Sequence, residues 1–373
     1  MIRLAQPAID EADIAAVAAV LRSGWLVQGA EVRAFEAEIA RIAGTPHAVA
    51  VNSGTAALHL ALLAMGIGPG DEVAVAAFSW PATANAVVLC GARPVFVDIE
   101  PRTAGMDPER LQARLAASGK FRAVLPVHAF GGLADIAGIC QVAEAHGVPV
   151  LEDAACALGA SLNGRPAGAW GAAACFSFHP RKVVTTGEGG AVATPDPELA
   201  NRVRALRNHG LDPRSPDPDF RSPGMNCRMT EFQGALGRVQ LGKLPALIAA
   251  HRRVAGWYAE LLAPLPVERP SSAGPEAHIY QAYVVLLPGE LSSHRQELLG
   301  RLRAAGVEAT IGTHHIPLTA YYRRDGGYRP GDFPVTDAIA ARAVALPMHH
   351  ALRREDVEQV TEALGAALGA AAE

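Results

Sequence analysis

Lys182 lies in the run Ser177-Phe178-His179-Pro180-Arg181-Lys182-Val183-Val184-Thr185-Thr186-Gly187-Glu188-Gly189-Gly190, downstream of an acid that closes the apolar stretch Val150-Leu151-Glu152-Asp153. A lysine enclosed between a Ser/His/Pro turn and a Thr-Thr-Gly-Glu-Gly-Gly loop suits a Schiff-base role. It must be held, partly desolvated and deprotonated to attack an aldehyde. An acid at a buried strand end meets the other need of pyridoxal phosphate (PLP), a carboxylate on the pyridinium nitrogen that keeps the ring an electron sink. Lys182 and Asp153 together predict PLP chemistry. An unpaired charge at Asp153 would be costly, so it needs a cation. The plainer alternatives for Asp153 are a helix N-cap or an arginine salt bridge.

Other residues fit around this pair. Asn52-Ser53-Gly54-Thr55 follows an apolar strand and opens a helix, placing backbone N–H groups and hydroxyls at a positive helix end where a phosphate could bind. An ordinary serine-capped helix is the competing reading. Ser177 could add a hydroxyl to the same phosphate cup, and Gly187-Glu188-Gly189-Gly190 reads as a tight turn into the next strand. Trp80, in Ala77-Phe78-Ser79-Trp80-Pro81, sits at a strand end, where ligands gather in open α/β sheets. It could stack on a pyridine ring, although an aromatic there is more often core packing.

These residues need a frame. From about residue 47 to 194 apolar runs alternate with helical stretches, as in βα units that build a mostly parallel sheet. The strand candidates are His47–Val51, Glu72–Ala77, Pro94–Asp98, Ala123–His128, Pro149–Glu152, Ala173–Phe178 and Ala191–Thr194. Between them, Thr55–Met65, Thr83–Cys90, Pro108–Ala117 and Ile136–His146 read as helices, the third with Asp107 as N-cap and Pro108 at its first position. Glu11–Arg22 and Val32–Ala43 precede this core as amphipathic helices. After it come a Pro-rich loop, Leu211–Gly224, and a helical stretch from Thr230 to Leu262 interrupted near Pro245. A strand around Tyr280–Leu286, a helix Ser293–Ala305, a helix near Thr336–Val344 and a C-terminal helix from Glu355 complete the chain. The expected organisation is a large α/β domain over residues 1–245 and a smaller α+β domain over 246–373.

The 373 residues exceed a typical single core, which agrees with two domains. Half are hydrophobic, 19% are charged and the net charge is −4, which suits a compact enzyme and argues against a nucleic-acid partner. The N-terminus lacks a signal-peptide core, no apolar run reaches membrane-span length, and a cytoplasmic location is expected. Five widely spaced cysteines read as reduced thiols. Thirteen histidines include the pairs His314-His315 and His349-His350, but neighbours in sequence point apart and rarely chelate one ion, so no metal is expected.

Taken in order, the segments Ser23 to Gly29, Phe35-Glu36, Gly68 to Val73, Glu152 to Ala155, the Lys182 run, Arg207 to Gly210 and Asn226 to Glu231 resemble the DegT/StrS-type sugar aminotransferases. The likeness covers nearly the whole chain. It implies a fold-type-I PLP transferase with a mostly parallel seven-stranded sheet flanked by helices and a smaller C-terminal α+β domain. By that resemblance Gly54, Thr55 and Ser177 hold the phosphate, Trp80 stacks on the ring, Asp153 pairs with its nitrogen, and Lys182 bonds to the aldehyde. Asn226 crosses to the phosphate cup of a second subunit, which makes the protein a homodimer. The implied reaction moves an amino group from glutamate onto a nucleotide-linked keto-deoxy sugar, with pyridoxamine 5'-phosphate as the intermediate cofactor form. A keto-inositol (cyclitol) acceptor and a non-catalytic regulator of the same fold are the rival expectations. Two departures stand out. Cys156 occupies a place beside the ring where relatives usually carry Gln or His, and Thr319 follows Pro317-Leu318 where many have His.

Overall fold

The computed structural model describes residues 1–372 other than 213, 215, 217, 218, 272, 273 and 275, so part of the Pro-rich loop lies outside the described residues. Seven short apolar runs form the central strands: β1 His47–Val51, β2 Glu72–Ala76, β3 Arg93–Val97, β4 Phe121–Leu125, β5 Leu151–Asp153, β6 Ala173–Ser177 and β7 Gly190–Thr194. Ladders join β1-β7-β6-β5 and β3-β2-β4. Parallel bridges Val124–Val150 and Val127–Asp153 link β4 to β5, giving one sheet in the order β1-β7-β6-β5-β4-β2-β3. Only β7 runs against its neighbours, β1 and β6.

Both faces of this sheet are covered, which is why most of its strand residues are apolar instead of alternating with polar ones. Along β1, Val49 and Val51 join one core with Leu58, Leu60, Val87, Leu199 and Val203, while Ala48 and Ala50 join the other with Phe35, Ile39, Leu241 and Leu244. The two-residue period of a strand sorts each side chain to its face. Several helices between strands begin on side-chain caps, among them the one capped by Asp107, which accepts the N–H groups of Glu109 and Arg110 ahead of Pro108, whereas Ala82–Leu89 starts at Pro81 without one.

Pro245 does not interrupt its helix: Glu231–Leu261 is one element of 31 residues. An interior proline costs roughly 3 kcal/mol. That cost is offset by apolar burial on either side of it. Leu241, Leu244, Leu247 and Ile248 pack into the sheet core, and Val254, Ala255 and Tyr258 enter a second core with Tyr283, Val285, Leu298 and Leu346. The proline ring itself is exposed.

That second core belongs to the C-terminal unit, whose three-stranded sheet has Ala343–Leu346 in the middle, antiparallel to Tyr283–Leu286 and Thr310–Ile311. The sequence reading placed Ala343 and Val344 in a helix, but that helix ends at Arg342. An Ala-Val-Ala-Leu run carries no period to separate helix from strand, and pairing on both sides decides it. The N-terminal residues also reach this unit, where Ile2 bridges Val307 and the Leu4 N–H donates to Glu308.

Candidate active site

Strand ends and the loops after them bring most of the predicted residues together. Gly54 begins the helix after β1, and Ser177 ends β6. A Cβ on Gly54 would lie 2.9 Å from Ser177 Cβ, and one on Gly190 would lie 2.3 Å from the Ser53 carbonyl oxygen. Only backbone fits at either position. Ser53 is a helix cap, its hydroxyl accepting the Ala56 N–H at 3.1 Å, as the plainer reading had it. The cap and the cradle coexist, because the serine hydroxyl turns inward to the helix while the exposed Thr55 side chain makes no hydrogen bond to any described residue. A helix N-terminus lined by Gly54, Thr55 and Ser177 suits a phosphate.

Asp153 is the last residue of β5 and only 4% exposed. Among the described residues it has no ion-pair partner, so the arginine alternative does not hold. Thr83 donates to its Oδ2 at 2.7 Å and the Ala155 N–H donates to its Oδ1 at 3.2 Å. Burial pushes the Asp153 carboxyl above the ordinary range, opposed by the Thr83 and Ala155 hydrogen bonds and by the charge of Lys182. An acid so buried and so short of positive charge fits a protonated ring nitrogen better than any group of the described chain.

Its neighbour Glu152 points to the other side of the strand and is fully satisfied. The N–H groups of Gly168, Trp170 and Gly171 donate to it at 2.8–2.9 Å, and His128 Nε2 lies 3.1 Å away. Because the Ala134 N–H donates to His128 Nδ1, the ring proton sits on Nε2 and faces Glu152. Burial alone would raise the Glu152 carboxyl, but His128 and the backbone donors hold it below its usual range. Two adjacent acids are thus driven in opposite directions. Glu152 anchors the strand end, and Asp153 is left to face the site.

Lys182 follows the turn Phe178–Arg181, where its N–H donates to the His179 carbonyl at 2.8 Å. Gln281 from the C-terminal unit donates to the Arg181 carbonyl, and Gln233 donates to the Glu188 carbonyl. The amine ends 3.0 Å from Cys156 Sγ. The thiol therefore touches the lysine itself, which the sequence alone did not indicate.

Among the described residues, Trp80 and Asn226 make no hydrogen bond or ring contact with the other predicted site residues. Trp80 is 61% exposed and meets His314 in a T-shaped contact, the ring centres 5.2 Å apart. Asn226 is exposed, bridges Asn208 through its backbone and makes no side-chain hydrogen bond among the described residues. Its successor Cys227 accepts the Asn52 N–H at 3.0 Å, so the loop runs beside the residues that lead into the cradle. The sequence reading missed Thr83, Ser79, Glu152 and His128. Buried hydroxyls in the apolar stretch from Phe78 to Val88 were the available signal for the first two.

Comparison with known proteins gives the family. A model of the DegT/DnrJ/EryC1/StrS aminotransferase family matches residues 7–365. The chain is similar to GDP-perosamine synthase of Caulobacter vibrioides, 38% identical over 366 residues that make up 97% of each protein. Among solved structures it resembles Helicobacter pylori PseC, an aminotransferase involved in the biosynthesis of pseudoaminic acid, with a TM-score of 0.93, 26% identity and 99% of each chain covered. It also resembles S. venezuelae DesV in complex with a ketimine intermediate, with a TM-score of 0.87, 36% identity, and 97% of this chain and 94% of that one covered.

Proposed function

The chain belongs to the DegT/DnrJ/EryC1/StrS aminotransferase family and is a PLP-dependent aminotransferase, and from that premise we propose that it moves an amino group from glutamate onto a keto group of a nucleotide-linked deoxy sugar. The observation that carries the site assignment is the buried Asp153 carboxyl, which has no ion-pair partner among the described residues and feels the charge of the Lys182 amine. The names of the relatives, a GDP-sugar synthase and an aminotransferase of pseudoaminic acid biosynthesis, support the acceptor class.

When bound, PLP supplies an aldehyde that takes up an amine and a protonated ring that accepts electrons. Lys182 provides the amine that holds the cofactor between turnovers. With the cofactor bound, the free Lys182 amine would be placed to take a proton from the substrate carbon and return it elsewhere as general base and acid. Asp153 would keep the ring nitrogen protonated. Gly54, Thr55 and Ser177 would hold the phosphate and Trp80 would stack on the ring, while Cys156 lies against the lysine with only a weak thiol donor to offer. Incubating the protein with glutamate and a panel of nucleotide keto sugars and keto-cyclitols, read by mass spectrometry, tests this function. Amination of a nucleotide keto sugar is expected, and amination of keto-cyclitols alone would overturn the acceptor assignment.

The site is completed by a second copy of the chain, with Asn226 reaching the neighbouring phosphate cup. Support comes from Asn226 being exposed without a side-chain partner and from the consecutive exposed residues Trp25, Leu26 and Val27, 61%, 44% and 60% accessible, which form an apolar patch suited to burial against a partner. Mixing inactive Lys182→Ala and Asn226→Ala proteins is expected to restore part of the activity, since a hybrid dimer holds one site with both residues intact. No recovery after confirmed subunit exchange would count against the shared site.

A further inference from the structure

A hydroxyl pair lies behind Asp153. Thr83, 1% exposed, occupies the first turn of the helix Ala82–Leu89, and Ser79, 5% exposed, ends the short extended segment Phe78–Ser79 that precedes it. Ser79 Oγ is 2.9 Å from Thr83 Oγ1, which is 2.7 Å from Asp153 Oδ2. A threonine hydroxyl carries one proton. With that proton committed to the carboxylate, Thr83 must accept from Ser79, so the proton order Ser79 to Thr83 to Asp153 is fixed.

We propose that Thr83 is a positioning residue for the cofactor, using this hydroxyl chain to hold the Asp153 carboxylate in one orientation with a free edge toward the ring nitrogen. The inference rests on the assignment of Asp153 to that nitrogen. Oδ1 is turned by the Ala155 N–H and Oδ2 by Thr83, which fixes both oxygens and leaves their remaining lone pairs for the ring. A valine at 83 would keep the volume and remove the donor.

The groups that bear on Asp153 are few. Lys182 comes from the loop after β6, His128 from the loop after β4, and the Cys175 thiol lies across the β5–β6 ladder. Glu152, on the same strand, is engaged by His128 and three backbone donors. Of the hydrogen bonds to Asp153, the one from Thr83 does most to counter the effect of burial. Losing it raises the carboxyl further, so the pH below which cofactor binding weakens should move upward.

The test measures PLP dissociation from Thr83→Val, Thr83→Ser, Ser79→Ala and Asp153→Asn across pH, alongside kcat and KM for glutamate. Thr83→Val is expected to bind PLP roughly 10- to 100-fold more weakly, in line with loss of a hydrogen bond to a charged group. Its acid limb should lie at higher pH, and kcat should fall with KM for glutamate unchanged. Thr83→Ser should be close to wild type, and Ser79→Ala should shift the same limb by a smaller amount. A Thr83→Val protein with unchanged affinity and pH profile would overturn the proposal, and so would a Thr83→Ser protein as impaired as Thr83→Val. If Thr83→Val does not fold, an unshifted limb in Ser79→Ala overturns it. Wild-type affinity in Asp153→Asn would instead strike at the assignment of Asp153, which keeps the two failures distinct.

Discussion

Lys182→Ala is expected to lose transamination by at least the 10²–10⁴-fold (approximately) that a positioned general acid–base contributes, and by more once the covalent hold on the cofactor is counted. The loss should not come from unfolding. The Lys182 turn is held by Gln281 on the Arg181 carbonyl, Gln233 on the Glu188 carbonyl, and the Thr185 hydroxyl on the Phe178 carbonyl, none of which uses the lysine side chain. Thermal melting should therefore stay near that of the parent protein. Lys182→Arg makes a sharper control. It keeps a positive charge near Asp153 but cannot deprotonate, so activity should fall as far as in the alanine variant while the field at Asp153 is largely preserved. Borohydride treatment of the holoenzyme followed by peptide mapping should place the reduced cofactor on Lys182. Recovery on another lysine would end the assignment.

The sheet was legible because both its faces are buried. Runs such as Ala48-Val49-Ala50-Val51 and Ala191-Val192-Ala193 are apolar at every position, and the glycine, proline and aspartate residues between runs mark where each stops. Shorter or less periodic elements were harder. Ala343–Leu346 is a strand because two partners flank it, a fact held in residues far along the chain. Pro245 looked like a break because a local rule has no access to the two cores that keep the helix whole.

The chemistry shows the same division. Lys182, Asp153, Gly54 and Ser177 announce themselves through residue type beside turns and strand ends. Thr83 does not, since a threonine at a helix start is ordinary, and only the fold brings it 2.7 Å from an acid 70 positions away. Cys156 is expected beside the ring from its spacing to Asp153, and its contact with the lysine amine at 3.0 Å is something only the fold shows.

Asp153→Asn should be the second severe loss, and the thiol nearby supplies its scale. Asparagine keeps the shape and can still accept from Thr83, so what it removes is the negative charge opposite the ring nitrogen. Breaking a buried ion pair costs about 3–5 kcal/mol, which corresponds to a rate loss of roughly 10²- to 10⁴-fold. Cys156→Ala gives up at most a weak neutral contact worth about 0.5–1.5 kcal/mol, so it should stay largely active, and Cys156→Gln should be tolerated. Steady-state rates with glutamate and an accepted keto acceptor check the order, and a Cys156→Ala enzyme as inactive as Asp153→Asn would refute it. The cofactor-free protein should show the opposite trend in stability. Burial raises the folded-state pKa of Asp153, so the folded chain binds this proton where the unfolded chain has released it, and that contribution to stability is lost as pH rises through the folded value. Asparagine carries no such proton. Cofactor-free Asp153→Asn should therefore gain in melting temperature over the parent as pH rises. A difference that stayed flat with pH would mean that Asp153 is not the strained acid its burial implies.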